Sequence, residues 1–477
     1  MLDDISITNR GGFVSKHHIN YLKFDTSKLS IASTIFFPVL IESALSSFYN
    51  VVDMMMVGKY DSAGLSAIGL TSNPLSIFLS IFSAINVGTT TLVAWNIGAQ
   101  KKKDAQDIIK ISLIMNLVSG IVMTVFGMLM AKPIVAFMGG DVYVQKLAIE
   151  YYDILVVGTT FQALTYSVTA SMRGAGLSKV PMVYNTFSNL LNVVGNYILI
   201  YGNDKLGIPD MGVLGAGYST LISRIICCIW ALLYVYFAKN ELSLKHNLGK
   251  FKFSMRRVNQ MLRIGIPTAV ETLIMNCGAM LYVKTVNMIP EPAFATHQIC
   301  NSINSFTSAP STALSVTANT VIGQYIGAGE FDEAKNFKKY LCKISFFLSA
   351  LMATVLTIFS RPIITLYAKD SDEAIISLAT TVFYLVAVQY FTANLNTVIM
   401  GALRAAGDTQ FALILNSLGF FLFRIPLAYL LGIVFELGLP GVWLSLLLNS
   451  WLNYIIISHR YRSGKWIDIY HKQNPNG

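Results

Sequence analysis

Charge is what this sequence has least of. Only 13% of its 477 residues are Asp, Glu, Lys or Arg, where a soluble domain carries about a quarter. That deficit, with 54% hydrophobic residues, excludes an ordinary water-soluble globule. Cysteine is scarce too. Cys227, Cys228, Cys277, Cys300 and Cys342 lie in or beside apolar stretches, with no metal or disulfide spacing, so they read as small apolar fillers. Enzyme signatures are missing. Without a Walker A lysine loop, ATP does not drive this chain directly. HExxH, the DDxxD pair of prenyl transfer and the GxSxG elbow are also absent, and no enzymatic activity is expected. The first 28 residues are polar and lack the apolar core of a cleaved signal, so the first helix is expected to act as an uncleaved one.

What is present is a series of apolar runs of about 20 residues, the length that crosses a bilayer. They are continuous rather than alternating, which indicates helices and not a barrel. About twelve such runs, from 30–57 to 438–458, predict an all-α integral membrane protein. The net charge of +10 does not indicate nucleic acid, because Lys and Arg concentrate in alternate loops. Lys101, Lys102, Lys103, Arg173, Lys179, Lys335, Lys338, Arg404, Arg460 and Arg462 fall on one side together with the N-terminus. The positive-inside rule makes that side cytoplasmic. Both termini are then cytoplasmic, and a multi-pass protein of the cell membrane is expected, in contact with the lipid bilayer and monomeric. The expected organisation is a cytoplasmic segment (1–28), a six-helix bundle (29–238), a basic linker (239–263), a second six-helix bundle (264–458) and a cytoplasmic tail (459–477).

The chain repeats itself. A shift of 229 places Pro267 on Pro38, Glu271 on Glu42, Val316 on Val87, Thr320 on Thr91, and Ile326–Gly327–Ala328 on Ile97–Gly98–Ala99. A shift of 231 places Leu403–Gly407 on Met172–Gly176 and Asn416 on Asn185. Six spans per half is an even number, so both halves enter the membrane from the same side. They should be related by a pseudo-twofold axis along the membrane normal, around a central cleft. Pro38, Pro74, Pro267, Pro310 and Pro426 interrupt spans and mark kinks, either hinges or fixed packing features.

Carboxylates within apolar spans carry the sharpest functional signal, since a charge at the bilayer centre costs about 2.5–3.5 kcal/mol and needs a partner, water or a role. Glu42 and Asp53 lie on span one and Glu271 on span seven. Eleven residues bring Glu42 and Asp53 to one helix face, about 16 Å apart, near Ser46, Tyr49 and Asn50. Asp53 is expected to bind and release a cation, H⁺ or Na⁺; the structural alternative is a pair with Lys59. Glu42 and Glu271, one turn after matched prolines, suit either coupling or a symmetric structural role. Asn185, Asn189, Asn192 and Asn196 share one face of span five, suited to a cavity wall or to interhelical bonds. Tyr49, Asn50, Asn192, Asn196, Gln298 and Asn394 are the expected cavity residues. Arg224, Arg424 and Lys284 within spans suggest structural ion pairs, and His297 an interhelical hydrogen bond rather than a metal.

The PxxxE repeat, VDMMMVGKY, the VAWNIGA and IGQYIGAG closings, His297–Ile299 as HQI, GALRAAGDT and RIPLAYLLG together resemble the multidrug and toxic compound extrusion (MATE) family, on its NorM-like side, within a superfamily that includes flippases. The likeness runs from Leu29 to Trp466. It implies twelve helices in two bundles, and secondary active efflux of small organic cations driven by inward H⁺ or Na⁺, with no other cofactor. It points to Asp53 as the first-helix acid. NorM-like members also carry an acid two turns after the span-seven proline, where this chain has Met275, and one in span ten, where it has Ala393, so their Na⁺ site does not carry over. The alternative is a lipid or lipid-linked oligosaccharide flippase of the same superfamily. A membrane-embedded enzyme is a more distant one, and would need clustered ligands that the sequence lacks.

Overall fold

The computed structural model describes residues 26–237, 242–245, 251, 253–290, 292–367 and 373–474. Most of the expected N-terminal segment and much of the basic linker lie outside them. The described residues are almost entirely helical. The first half comprises α1 (Thr26–Tyr60), α2 (Ser62–Gly98), α3 (Lys102–Met138), α4 (Val142–Gly174), α5 (Lys179–Tyr201) and α6 (Gly212–Phe237). The second comprises α7 (Met255–Asn287), α8 (Ala293–Thr307), α9 (Ala309–Gly327), α10 (Phe331–Tyr367), α11 (Glu373–Ala405), α12 (Thr409–Leu418), α13 (Ile425–Tyr429) and α14 (Gly438–Arg462), followed by a short α15 (Lys465–Gln473).

Twelve passes result when α8 and α9 count as one and α12 and α13 as one. Among the described residues nine helical stretches are long and apolar enough to cross a membrane by length and composition alone. The others are α4, α5 and the α8–α9 pair. The asparagines of α5 lower its hydropathy, and the eighth pass, expected as one span, is broken at Ser308. Pro310, in the first turn of α9, has no backbone N–H and its ring would clash with the preceding turn of a continuous helix. The eleventh pass is interrupted differently. Wide π turns at Gly419–Arg424 and Leu430–Val434 flank α13.

Several helices overrun the bilayer. The 37 residues of α2 and of α3 extend about 55 Å at 1.5 Å per residue, against a hydrocarbon core of about 30 Å. The apolar runs mark only the immersed part. Outward faces are apolar where they meet lipid. On α3, Leu117, Ile121, Val125 and Met128 are exposed, and on α10 Phe347, Leu351, Val355 and Ile358 are exposed. Such a belt is stable only against hydrocarbon.

Within the first half α2 packs on α3 and α4, α4 on α6, and α5 on α1 and α6; within the second, α11 packs on α9, α10 and α14, and α7 on α12. The halves meet through α2 against α7 and α9, and through α1 against α9. The expected tail is partly ordered structure. α14 continues to Arg462, and α15 folds back with Trp466 fully buried.

Candidate functional site

The polar face of α1 is matched, rung by rung, by the asparagine face of α5. Asn185 Nδ2 donates to Glu42 Oε1 at 2.8 Å, Asn189 Nδ2 to Ser46 Oγ at 3.3 Å, and Asn196 Nδ2 to Asp53 Oδ1. The two helices run parallel, and each rung joins residues 143 apart. An asparagine every turn thus gives α5 one donor for each acceptor on α1. Asn196 is fully buried and Asp53 half-buried. Among the described residues Asp53 forms no ion pair, with Lys59 or any other cation.

Glu42 and Glu271, expected as coupling acids beside Asp53, are instead committed to ion pairs. Arg173 Nη2 lies 2.9 Å from Glu42 Oε1. Arg404 Nη2 lies 3.2 Å from both Glu271 oxygens, and Asn416 Nδ2 donates to Glu271 Oε1 at 2.6 Å. Glu42–Arg173–Asn185 and Glu271–Arg404–Asn416 are therefore one triad occurring twice. Its carboxylates are 7% and 6% exposed, which an unpaired charge would not tolerate. The arginines had been assigned to loops. They occupy the last turns of α4 and α11 and reach inward. The signal was available: the repeat places acid, arginine and asparagine in matching positions in both halves.

The expected cavity residues scatter. Asn394 is 1% exposed, accepting from Ser311 Oγ at 2.5 Å and donating to Ser349 Oγ at 2.9 Å. It ties α9, α10 and α11 together rather than lining a cavity. Asn192 donates to Thr220 Oγ1 at 3.0 Å and accepts nothing from α1, so it joins α5 to α6. Tyr49 is half-buried and Asn50 exposed on α1, and Gln298 is exposed on α8. Arg224, expected in an ion pair, donates from Nη1 to the Leu155 carbonyl at 3.4 Å. His297 is buried between Tyr282 and Trp443, and its Nδ1 has no hydrogen-bond partner, so the expected interhelical bond is not made there. Among the described residues there is no cluster of three or more potential metal ligands.

The halves are latched together at the end that carries the basic connections, and the latch obeys the repeat. Trp95 Nε1 donates to the Ala405 carbonyl at 2.6 Å; its counterpart Gln324 donates from Nε2 to the Gly174 carbonyl at 3.0 Å. Thr320 Oγ1 donates to the Arg173 carbonyl at 3.0 Å, and its counterpart Thr91 to the Arg404 carbonyl at 3.4 Å. Each half places side-chain donors on the other half's main chain, just where the triad arginines sit. Glycine permits the approach. A Cβ at Gly98 would fall 1.9 Å from the Gln324 carbonyl oxygen, and one at Gly327 2.1 Å from that of Trp95. Arg257 adds ion pairs to Asp104 at 2.5 Å and Asp107 at 2.7 Å. Tyr470 of α15 stands edge-on to Trp95, 4.9 Å between ring centres, while Gln473 donates to the Gly407 carbonyl and accepts on its own carbonyl from Gln260. Replacing Gly98 with Val should stop the latch from closing and reduce transport by at least about tenfold, because interfaces of this kind switch between discrete packings. Efflux from cells with matched membrane expression of the variant checks this, and unchanged efflux would contradict it.

The family model described as MatE matches residues 38–198 and 267–430, one match in each half. The transporter YisQ of Bacillus subtilis (strain 168), itself uncharacterized, is 28% identical over 449 residues, covering 94% of this chain and 97% of the relative. A probable multidrug resistance protein NorM of Thermotoga maritima is 25% identical over 454 residues, covering 95% of each. Among solved structures, the outward-facing conformation of a multidrug resistance MATE family transporter of the MOP superfamily superposes with a TM-score of 0.86 at 21% identity, over 93% of this chain and 97% of that one. With the double match spanning most of both halves and the twelve-pass fold in place, the chain belongs to the MATE family of multi-pass membrane transporters.

Proposed function

We propose that this transporter exports small organic cations across the cell membrane in exchange for H⁺ or Na⁺, by alternating access, and that Asp53 is the coupling acid. One observation carries the reading. Asp53 is an intramembrane carboxylate that has a single neutral hydrogen-bond donor, Asn196, and no counter-ion among the described residues, whereas Glu42 and Glu271 each have an arginine. An unbalanced acid at that depth needs a cation to visit it. Binding H⁺ or Na⁺ neutralises the carboxylate, weakens its hold on a cationic substrate and favours release; the two halves then rock about the cleft.

The basic end faces the cytoplasm in this reading, so the latch at Trp95 and Gln324 closes the cytoplasmic side. Each chain contains both halves and both latch arms, and a monomer suffices. The multidrug resistance named for the Thermotoga relative supports an organic substrate. The test is efflux of ethidium from proteoliposomes under an imposed Na⁺ gradient or an imposed pH gradient, applied separately. Efflux driven by one of them identifies the ion. Efflux under neither contradicts the reading.

A further inference from the structure

The halves differ most at the depth of Asp53. Asp53 lies eleven residues beyond Glu42, and Tyr282 lies eleven beyond Glu271, so the repeat puts a tyrosine where the first half has its acid. Against that tyrosine stands Arg424. Its guanidinium carbon is 4.3 Å from the centre of the Tyr282 ring and 4.6 Å from that of Phe420. Among the described residues it forms no ion pair. The half-buried cation of the second half thus faces the half-buried acid of the first, at matching depth.

The arrangement is built rather than incidental. Arg424 ends a π turn (Gly419–Arg424), a geometry frequent at functional sites. Phe420 seats on Gly278, where a Cβ would lie 2.6 Å from its ring. The Tyr282 hydroxyl is held by donation to the Val442 carbonyl at 2.9 Å. Around this aromatic seat the polar groups lack partners. Arg424 Nε, Trp443 Nε1 and His297 Nδ1 have no hydrogen-bond partner, and Trp443 and His297 are each 3% exposed. Their rings are 5.6 Å apart, and His297 is 6.1 Å from Tyr282. Arg424 and Trp443 bring buried donors with no acceptor, on a guanidinium whose faces are covered by rings and whose donors lie in its plane. That is a demand for an anion, best met by a planar carboxylate.

We propose that Arg424, with Trp443 and His297 on an aromatic seat, is a carboxylate-binding subsite in the second half, so that the preferred substrates are zwitterions: flat aromatic cations that also bear a carboxylate. The cationic part of this statement rests on the export reading above; the carboxylate part does not.

The rhodamines provide the probe pair. Rhodamine 110 carries a free benzoate, and rhodamine 123 is its methyl ester with the same cationic chromophore. Fluorescence anisotropy on the purified full-length protein should show tighter binding of rhodamine 110, and benzoate should displace rhodamine 110 but not rhodamine 123. Arg424→Gln should weaken rhodamine 110 by at least about tenfold, the scale of a charged hydrogen bond lost, and leave rhodamine 123 within about twofold. Arg424→Lys should fall between, because it keeps the charge and loses the fork. Trp443→Phe should weaken only rhodamine 110. Equal loss of both dyes in Arg424→Gln, or failure of benzoate to compete in the wild-type protein, overturns the subsite. Gradient-driven transport of rhodamine 123 reports separately on the export reading. If it fails while the binding pattern holds, the antiport is wrong and the carboxylate site stands.

Discussion

Asp53→Asn is expected to abolish gradient-driven efflux, lowering the coupled rate by about two orders of magnitude, while the protein still folds and inserts. Asparagine has the shape of aspartate, and its side-chain oxygen still accepts from Asn196 Nδ2, so the α1–α5 ladder survives. What is lost is a group whose charge changes when an ion binds. Without it the two gradients have nothing differential to act on, and a ligand that interacts equally with both states shifts neither. Substrate exchange across the membrane without a gradient should persist in the variant, which separates loss of coupling from loss of the pathway. Asp53→Glu, which keeps the acid but displaces it by one methylene, should retain part of the activity. Wild-type efflux by Asp53→Asn in proteoliposomes would rule out this residue as the coupling acid.

The second large effect is on stability. Arg173→Leu leaves Glu42, 7% exposed, without its counter-ion, and Arg404→Leu does the same to Glu271. Removing one partner of a buried pair costs about 3–5 kcal/mol, while replacing both by apolar side chains is often neutral. The arginines are 22% and 24% exposed, so part of their field is already screened, and a loss of about 2–4 kcal/mol per single variant is the expectation. In detergent each single variant should unfold several degrees below the wild type. The double variants Glu42→Leu with Arg173→Leu, and Glu271→Leu with Arg404→Leu, should recover most of that loss. A double variant as unstable as its arginine single would show that the arginine acts through something other than its glutamate.

The helical passes were legible because a bilayer imposes its own ruler. The apolar runs at 64–92 and 108–131 lie within α2 and α3, and only the polar overhang beyond lipid escaped them. The break at Ser308 was less legible, since Pro310 marks a kink without saying whether a helix bends or stops. In the site, Asp53 stood out by its cost in lipid, and the asparagine stripe by its spacing. The arginines of the triads did not, because positive charge next to a turn reads as loop until the fold brings it to a buried acid. Asn394 shows the converse error. A polar residue in an apolar span faces either a cavity or another polar residue, and its own position in the chain does not distinguish them. Arg424 was expected to have an acidic partner; its aromatic seat comes from α7 and from the π turn, neither of which a linear pattern reveals. Nine residues of mixed polarity gave no sign that α15 would bury Trp466.

The latch also bears on how such a protein diverges after its halves have duplicated. Trp95 and Gln324 share neither size nor chemistry beyond one N–H, yet they occupy equivalent positions and perform the same act. They remain interchangeable because what they grip is main chain, which every sequence possesses. Drift in the gripping side chain needs no matching change in the other half, provided a donor of suitable reach is kept. The glycines have no such latitude, since their role is the absence of an atom. Over generations the closing surface is therefore free to lose its internal likeness nearly everywhere except at Gly98 and Gly327, and those two are where the ancestral symmetry should persist longest.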